Sequence, residues 1–347
     1  MPEGPEIRRA ADRVRRAIAG QVAENVYFGQ PHLEREGPRL RGSEVTGVTA
    51  RGKALLVSFA TGDTVFCHSL LYGRWYVRRR GGHPRIRRQL RFAVHSATHS
   101  AWLYSASVID VLPTDEVDNH PFVGRLGPDP LDGRTTAEDV LQQLEAHPRK
   151  RLGALLLDQG CVAGIGNYLR SEILFAAELH PEVRPQDCDE ATLRCLAHCV
   201  LDVTRQAYAT GGITLDPDLA AARKAAGMPR RRYRHAAFTA AGQPCPRCGQ
   251  RILRIESVGR RCYICDKCQP RPVAGKMEGS MSNDVAKLVE EIIADGKLTR
   301  SELKRLDTLL LADGKLTVEE REHIDRLLTL IGKGELVVVE PPDDTSK

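Results

Sequence analysis

Near the start of the chain the apolar residues Ile7, Ala11, Val14 and Ile18 recur at three- and four-residue steps, while Arg8, Arg9, Arg13, Arg15 and Arg16 fall largely off that stripe. This spacing predicts an amphipathic helix with one buried face. Pro5 suits its first turn, and Glu6 complements the positive end of its dipole. Met1, Pro2 and Glu3 are not needed for the helix, and their place ahead of it is the first question the chain raises. From 22 to about 112 the period changes to two. VAENVYFG, SEVTGVTA, KALLVSFA, TVFCHSL, RWYVR, LRFAVHS and SAWLYSASVIDVL alternate or run β-branched between Gly-, Asp- and Ser-rich turns. So much antiparallel strand in one block predicts a sandwich or barrel.

From 135 the helical period returns. TTAEDVLQQLEAH opens on Thr135 and Thr136 with an acid three residues after each, a capping signature. RKRLGALLLDQ, GNYLRSEILFAAEL and DEATLRCLAHCVLDVTRQAYA continue the helical pattern, GGITLDPD (211–218) reads as a loop, and PRRRYRH (229–235) leads into a cysteine block. PRPVAGKMEGSMSN (270–283) has no apolar period and reads as a linker. Its GSM at 279–281 fits a natural fusion and an engineered junction equally. Beyond it, ADGKLTRSELKRL (294–306) and ADGKLTVEEREHI (312–324) repeat, with Thr299 or Thr317 set to cap a helix and Glu302 or Glu320 to complete a capping box. An EF-hand fits poorly on ligand count. With Gly296 or Gly314 at loop position 6, the first two ligand positions fall on Glu291 and Ile293, or on Leu309 and Leu311. A helical interaction module with an unidentified protein partner fits better.

Charge divides the chain in the same place. Residues 1–277 carry 41 Lys/Arg against 29 Asp/Glu, whereas residues 278–347 carry 10 against 16. The densest basic stretch is 51–100, where Asp63 is the single acid, and RRRGGHPRIRRQLR (78–91) dominates it. A basic body with such a run points to a polyanion partner, nucleic acid above all. With no apolar run of about 18 residues a membrane partner is not expected. The start lacks an apolar h-region and reads as no secretory signal. Six of the ten cysteines, Cys67, Cys161, Cys188, Cys195, Cys199 and Cys262, then default to reduced thiols.

Three motifs carry chemistry. CPRC (245–248) and CDKC (265–268) are two Cys-x-x-Cys knuckles around a predicted hairpin. Cys245, Cys248, Cys265 and Cys268 at this spacing close a tetrahedral site for one structural zinc ion, with no open position for catalysis. Arg260 and Arg261 stand near the hairpin turn, as groove-entering guanidiniums or as exposed charges. LLLDQGCVAGIGNYLRSEILFAAELHP (155–181) reads helix, Gly-rich turn, helix, a phosphate-binding shape to which Asn167 would add its amide. In TARGKALLVSF (49–59), Lys53 lies at a hairpin tip, where a lysine is ordinarily exposed.

Together these segments resemble one family across nearly all of residues 1–269, the bacterial formamidopyrimidine-DNA glycosylase/endonuclease VIII family, and within it the endonuclease VIII side. The resemblance is carried by MPEGPEIRRAAD, RGKALL around Lys53, LYGRW (71–75), LYSAS (103–107), HPFVGRLGPDPL (120–131), the LLLDQ to GIGNYLRSEIL block and the four-cysteine finger. It implies an α+β multidomain chain. An N-terminal β-sandwich with a flanking helix would occupy 2–125, a helix–two-turn–helix domain 132–226 and a zinc finger 236–269. The linker at 270–283 and the helical module at 284–335 lie outside the family core. Damaged double-stranded DNA would lie in the cleft between the halves of a monomer in the bacterial cytoplasm, associated with the nucleoid.

The resemblance also answers the opening question. Family members lose the initiator methionine, and the exposed proline, here Pro2, attacks the damaged nucleotide. A free α-amine titrates near about 7.7–8.0, far below lysine, so part of it is unprotonated at neutral pH. Glu3 matches the family's catalytic acid, Lys53 the proton donor of β-elimination, and Arg260 the finger arginine assigned to δ-elimination. Arg125 and Asn167 match phosphate-binding positions. Leu70, Leu71 and Tyr72 match the residues that fill the gap left by a flipped base. Leu70 departs from the glutamine common in endonuclease VIII, so it can pack but cannot hydrogen-bond the orphaned base. The implied activity is a glycosylase/abasic-site lyase acting on oxidised pyrimidines. A preference for oxidised purines and a non-catalytic damage binder are the alternatives, and the intact set Pro2, Glu3, Lys53 and Arg260 argues against the second.

Overall fold

The structure is a computed structural model that describes residues 2–272 and, of the remainder, 288–290, 292–293, 297–299, 326–327, 329–331, 333 and 337–339. The opening helix, α1 (Gly4–Ile18), buries Ile7, Ala10, Ala11, Val14, Ala17 and Ile18, the stripe expected from the sequence. The strands that follow are β1 (Asn25–Phe28), β2 (Val45–Arg51), β3 (Ala54–Phe59), β4 (Asp63–His68), β5 (Arg74–Arg79), β6 (Leu90–His95), β7 (His99–Tyr104) and β8 (Val108–Pro113), with a short helix α2 (Glu36–Leu40) after β1. They form two antiparallel sheets in the orders β1-β6-β7-β5 and β2-β3-β4-β8. Val57, Phe59, Val65 and Cys67 of one sheet and Phe92, Val94, Ala101 and Leu103 of the other share a single core with α1. The second sheet is covered on its other face too, where Ala54, Leu56 and Phe66 pack with Val117 and Val123. Burial on both faces explains why KALLVSFA runs apolar instead of alternating.

The run SAWLYSASVIDVL, read as one strand, is two. Tyr104 ends β7 in the first sheet and Val108 opens β8 in the second. Ser105 between them has φ 55°, in the left-handed region, and its N–H donates to the Gln89 carbonyl at 2.9 Å. Alternation of side chains continues across such a corner, so the pattern alone does not reveal it.

The helical part contains α3 (Ala137–Glu145), α4 (Leu152–Leu155), α5 (Asn167–Ala176), α6 (Glu190–Thr210) and α7 (Pro217–Ala225). Thr136 Oγ1 accepts from the Asp139 N–H and Asp139 accepts from the Thr136 N–H, the capping box read from the sequence. Asp189 caps α6, which Gly211 ends at φ 73°. RKRLGALLLDQ supplies only the single turn of α4. Helix α7 begins inside the stretch read as a loop: Asp216 caps it through the Leu219 N–H at 3.0 Å, and Pro217 fills its first position. Leu141, Leu144, Leu155, Leu169, Ile173, Leu196 and Val200 form the core of this part. Then β9 (Leu253–Ser257) and β10 (Arg260–Ile264) make an antiparallel hairpin through Val258 and Gly259, both at positive φ.

Residues from Val273 onward form a second compact unit. Its described helical residues Leu288, Val289, Ile292 and Leu327 are buried together with Leu298. The helical reading of this module did not include a strand pair, yet β11 (Lys297–Thr299) pairs in parallel with β12 (Val337–Val339). Thr299, expected to cap a helix, ends that strand. Glu302, Thr317 and Glu320 lie outside the described residues.

The corner at Ser105 yields a prediction. A β-branched side chain is poorly tolerated at φ 55°, so Ser105→Val should lower stability by about 1–2 kcal/mol. Urea midpoints check this, and Ser105→Gly should be neutral or mildly stabilising.

Candidate active site

Glu3 stands immediately before α1, yet its carboxylate reaches another helix. Oε2 accepts from the Gly166 N–H at 2.8 Å and the Leu169 N–H at 3.2 Å, and Oε1 accepts from the Tyr168 N–H at 2.9 Å. It therefore caps the first turn of α5, whose own preceding residue, Gly166, has no side chain to do so. A Cβ at Gly166 would collide with the Glu3 carboxyl, so only glycine admits this carboxylate. The Gly4 N–H adds a bond to the Gly164 carbonyl at 2.8 Å. Glu6 steadies the arrangement, accepting from the Glu3 N–H at 3.0 Å and from the Tyr168 hydroxyl at 3.2 Å.

Lys53 occupies the tight turn between β2 and β3, as expected, but its amine points inward and is buried. It donates to the Ile165 carbonyl at 2.5 Å, on the Gly-rich turn that leads into α5. Burial lowers its pKa to about 8, the Glu3 charge pulling it back up and Arg260 pressing it down. Burial likewise raises Glu3 to about 7, against the opposing pull of the Tyr168 N–H, Lys53 and the Leu169 N–H. Two groups that ordinarily titrate far apart are thus brought close to neutrality. An open cleft of about 970 Å³ lies beside them, lined by Pro2, Glu3, Asn167 and Arg260 among others. The Arg260 side chain is exposed and makes no hydrogen bond or ion pair among the described residues.

Leu70, Leu71 and Tyr72 are 39%, 60% and 69% exposed, an apolar triplet standing free on the turn between β4 and β5. Leu71 and Tyr72 line the cleft and Leu70 does not. Gly73 closes the turn by donating to the Ser69 carbonyl at 2.8 Å, where any Cβ would strike Ser69. At its base the Leu70 N–H donates to His68 Nδ1 at 3.3 Å. That bond requires an unprotonated nitrogen, and burial with Lys53 and Arg125 nearby pushes His68 down to about 4. Arg125 is exposed and stacks over Phe122 at 5.7 Å, outside the cleft lining. Asn167 does line the cleft, but one of its amide hydrogens is already given to the Arg261 carbonyl at 2.8 Å.

Two buried charges absent from the sequence reading hold the finger in place. Arg170 donates to the carbonyls of Gly153, Ser257 and Arg261 and to Asn167 Oδ1. Glu172 accepts from the N–H groups of Ala236, Ala237 and Phe238 and from the Thr214 hydroxyl. Asp129, also absent from that reading, is half-buried away from the finger and accepts from the Gly52 N–H at 2.9 Å, next to Lys53. The available signal was two opposite charges inside the apolar run NYLRSEILF, on a helix buried on nearly every side. The sulfurs of Cys245, Cys248, Cys265 and Cys268 lie within 4.8 Å of one another, with pairs at 3.9 and 3.5 Å. A tetrahedron of thiolates at about 2.3 Å from zinc has edges of about 3.8 Å, so the four fit that ion. Cys262 faces Ser171 at 3.7 Å instead. Chelating the metal should therefore strip hydrogen-exchange protection from the β9–β10 amides while the sandwich amides keep theirs. Protection retained after verified metal loss would contradict this.

Comparison with known proteins matches two parts of the chain to known domains. Residues 1–105 match the formamidopyrimidine-DNA glycosylase N-terminal domain, and residues 126–218 the formamidopyrimidine-DNA glycosylase H2TH domain. Curated relatives named Endonuclease 8 are 42% identical over 271 residues in Klebsiella pneumoniae and 41% over 272 residues in Salmonella arizonae, each covering 78% of this chain and 100% of the relative. Among solved structures, the Lactococcus lactis formamidopyrimidine-DNA glycosylase non-covalently bound to DNA containing an abasic site shares the fold at a TM-score of 0.66 and 21% identity, covering 78% of this chain and 100% of that one. The same enzyme with DNA containing N7-benzyl-Fapy-dG gives 0.66 and 22%. Among the described residues no helix is long and apolar enough to cross a membrane. With two family domains in order and relatives matched along their whole length, the chain belongs to the formamidopyrimidine-DNA glycosylase/endonuclease VIII family.

Proposed function

We propose that this chain removes oxidised pyrimidines from double-stranded DNA and cuts the strand by β,δ-elimination, with the Pro2 nitrogen as nucleophile once Met1 is removed. Glycosylase and abasic-site lyase activity on damaged DNA is that of its family. The observation that carries the residue assignment is the meeting of Pro2, Glu3 and Arg260 at one cleft, with the buried Lys53 amine near enough to feel the charges of Glu3 and Arg260.

In this reading the Pro2 nitrogen bonds to C1′ as the bond from C1′ to the base breaks, and the departing base takes up a proton. Glu3, close to neutrality, can give or accept protons at base and sugar. Opening of the sugar ring leaves an iminium whose positive charge acidifies the 2′ proton. Loss of that proton expels the 3′ phosphate with Lys53 as proton donor, and a second elimination beside Arg260 expels the 5′ phosphate. Water then releases the sugar fragment and restores the amine. Leu70, Leu71 and Tyr72 would fill the vacated space while the base is out of the stack. Arg125 and Asn167 would hold phosphates. Zinc would be held by the four cysteines and would supply stiffness to the Arg260 hairpin. The natural setting of this reaction is the bacterial cytoplasm, at the nucleoid.

Borohydride trapping tests the nucleophile. Protein lacking Met1, incubated with a duplex bearing thymine glycol or dihydrouracil and then reduced, should give an adduct mapping to Pro2. One extra residue ahead of Pro2 should abolish it. Absence of any adduct on oxidised bases or an abasic site, despite tight binding, would favour the damage binder, and faster trapping on an oxidised purine would move the substrate class. The pH profile tests the acid–base pair. Single-turnover cleavage of an abasic duplex should rise as Glu3 ionises through about 7 and fall as Lys53 deprotonates through about 8, both values belonging to the coupled pair. A flat profile across this range would refute the assignment.

A further inference from the structure

We propose that the connection between β5 and β6 is a second DNA-binding element, an arginine strap that grips phosphates of the duplex arm next to the Leu70–Tyr72 turn. The proposal rests on the DNA-repair reading above and extends the contact surface beyond the cleft.

Residues 80–89, RGGHPRIRRQ, carry four arginines and no acid. A hairpin connection of this length would ordinarily be loose, and this one is fastened along its course. The Arg80 N–H donates to the Thr98 carbonyl at 2.8 Å, and the Gln89 carbonyl receives the Ser105 N–H. Ile86 packs onto the outer face of the first sheet with Trp102 and Tyr104, and the His83 ring lies 5.5 Å from Trp102. Ordering a loop costs backbone entropy at every residue, here offset by apolar burial. The strap is therefore a shaped surface instead of a floppy tail.

Two further observations say what it is shaped for. Arg88 Nη1 donates to the Tyr72 carbonyl at 2.9 Å, and Arg88 lines the cleft together with Arg74. The strap is thus continuous with the DNA-facing surface at the turn that would enter the duplex. Arg85 and Arg87, one step further out, are exposed and make no hydrogen bond or ion pair among the described residues. Glu24 neutralises only Arg80, at 3.4 Å. Like charges held together without counter-ions repel one another in the free protein, and a row of phosphates relieves that repulsion while releasing its own counter-ions. The guanidinium fork suits phosphate oxygens.

The test is equilibrium binding of the full chain to a duplex with a tetrahydrofuran abasic analogue, across salt from roughly 50 to 200 mM. For Arg85→Gln/Arg87→Gln, affinity should fall on the order of ten-fold at about 100 mM salt, and the log–log salt slope should flatten by about one per arginine. Single-turnover cleavage at saturating enzyme should not change. Arg85→Lys/Arg87→Lys should restore both affinity and slope, which a folding defect would not allow. Shortening the duplex arm on one side of the lesion should weaken the wild type and leave the glutamine variant unaffected. Wild-type binding with an unchanged slope in the glutamine variant would overturn the strap alone. Failure of the wild type to bind lesion DNA would overturn the repair reading and the strap with it.

Discussion

A carboxylate buried at the start of a helix that is not its own governs this molecule. Glu3 satisfies the first turn of α5 with three backbone N–H bonds, so the end of the sandwich that carries Pro2 is welded to the helical part through main-chain geometry. Burial makes the weld expensive for a charge and draws its pKa upward, while the Tyr168 and Leu169 N–H groups and the buried Lys53 keep ionisation within reach. The structural cap and the proton-transfer group proposed above are the same atoms. The site cannot form unless the two parts are docked, and docking leaves Glu3 nowhere else to go.

From α5 the constraint passes to the finger. Arg170 and Glu172 lie two positions apart on that helix and reach opposite ends of the finger module. The arginine holds the carbonyls at the tip of the β9–β10 hairpin, and the glutamate holds the backbone that leads into the cysteines. Buried charges of this kind contribute little net stability when paired, and breaking one side of such a pairing is costly. Their value here is positional. One helix fixes the carboxylate on its N-terminal side and the exposed arginine hairpin on its flank.

Much of this was legible in the chain. The Ile7 to Ile18 stripe, the two Cys-x-x-Cys knuckles and the Thr136 capping box are local, and each states its own geometry. Pro2, Glu3 and Lys53 became legible only through the family resemblance, because nothing local marks a lysine at a hairpin tip as buried. Lys53 turns inward because the Ile165 carbonyl, more than a hundred residues away, waits for it. Ser105, Arg170 and Asp129 were missed for the same reason, since their partners are distant main-chain atoms. Helix α7 is a different case. Its Asp216–Pro217 start is a local signal, inside the stretch GGITLDPD that reads as a loop.

The hairpin that presents Arg260 carries one more consequence. Ser257 pairs directly with Arg260 across a two-residue turn, and Cys262, two positions on, packs against Ser171 of α5. Arg260 and Cys262 therefore share the face turned to α5, and Arg261 takes the other. A strand exchanges its faces with every single residue gained or lost. A one-residue slip of β10 against β9 would consequently present Arg261 where Arg260 now stands and pull Cys262 out of its seat.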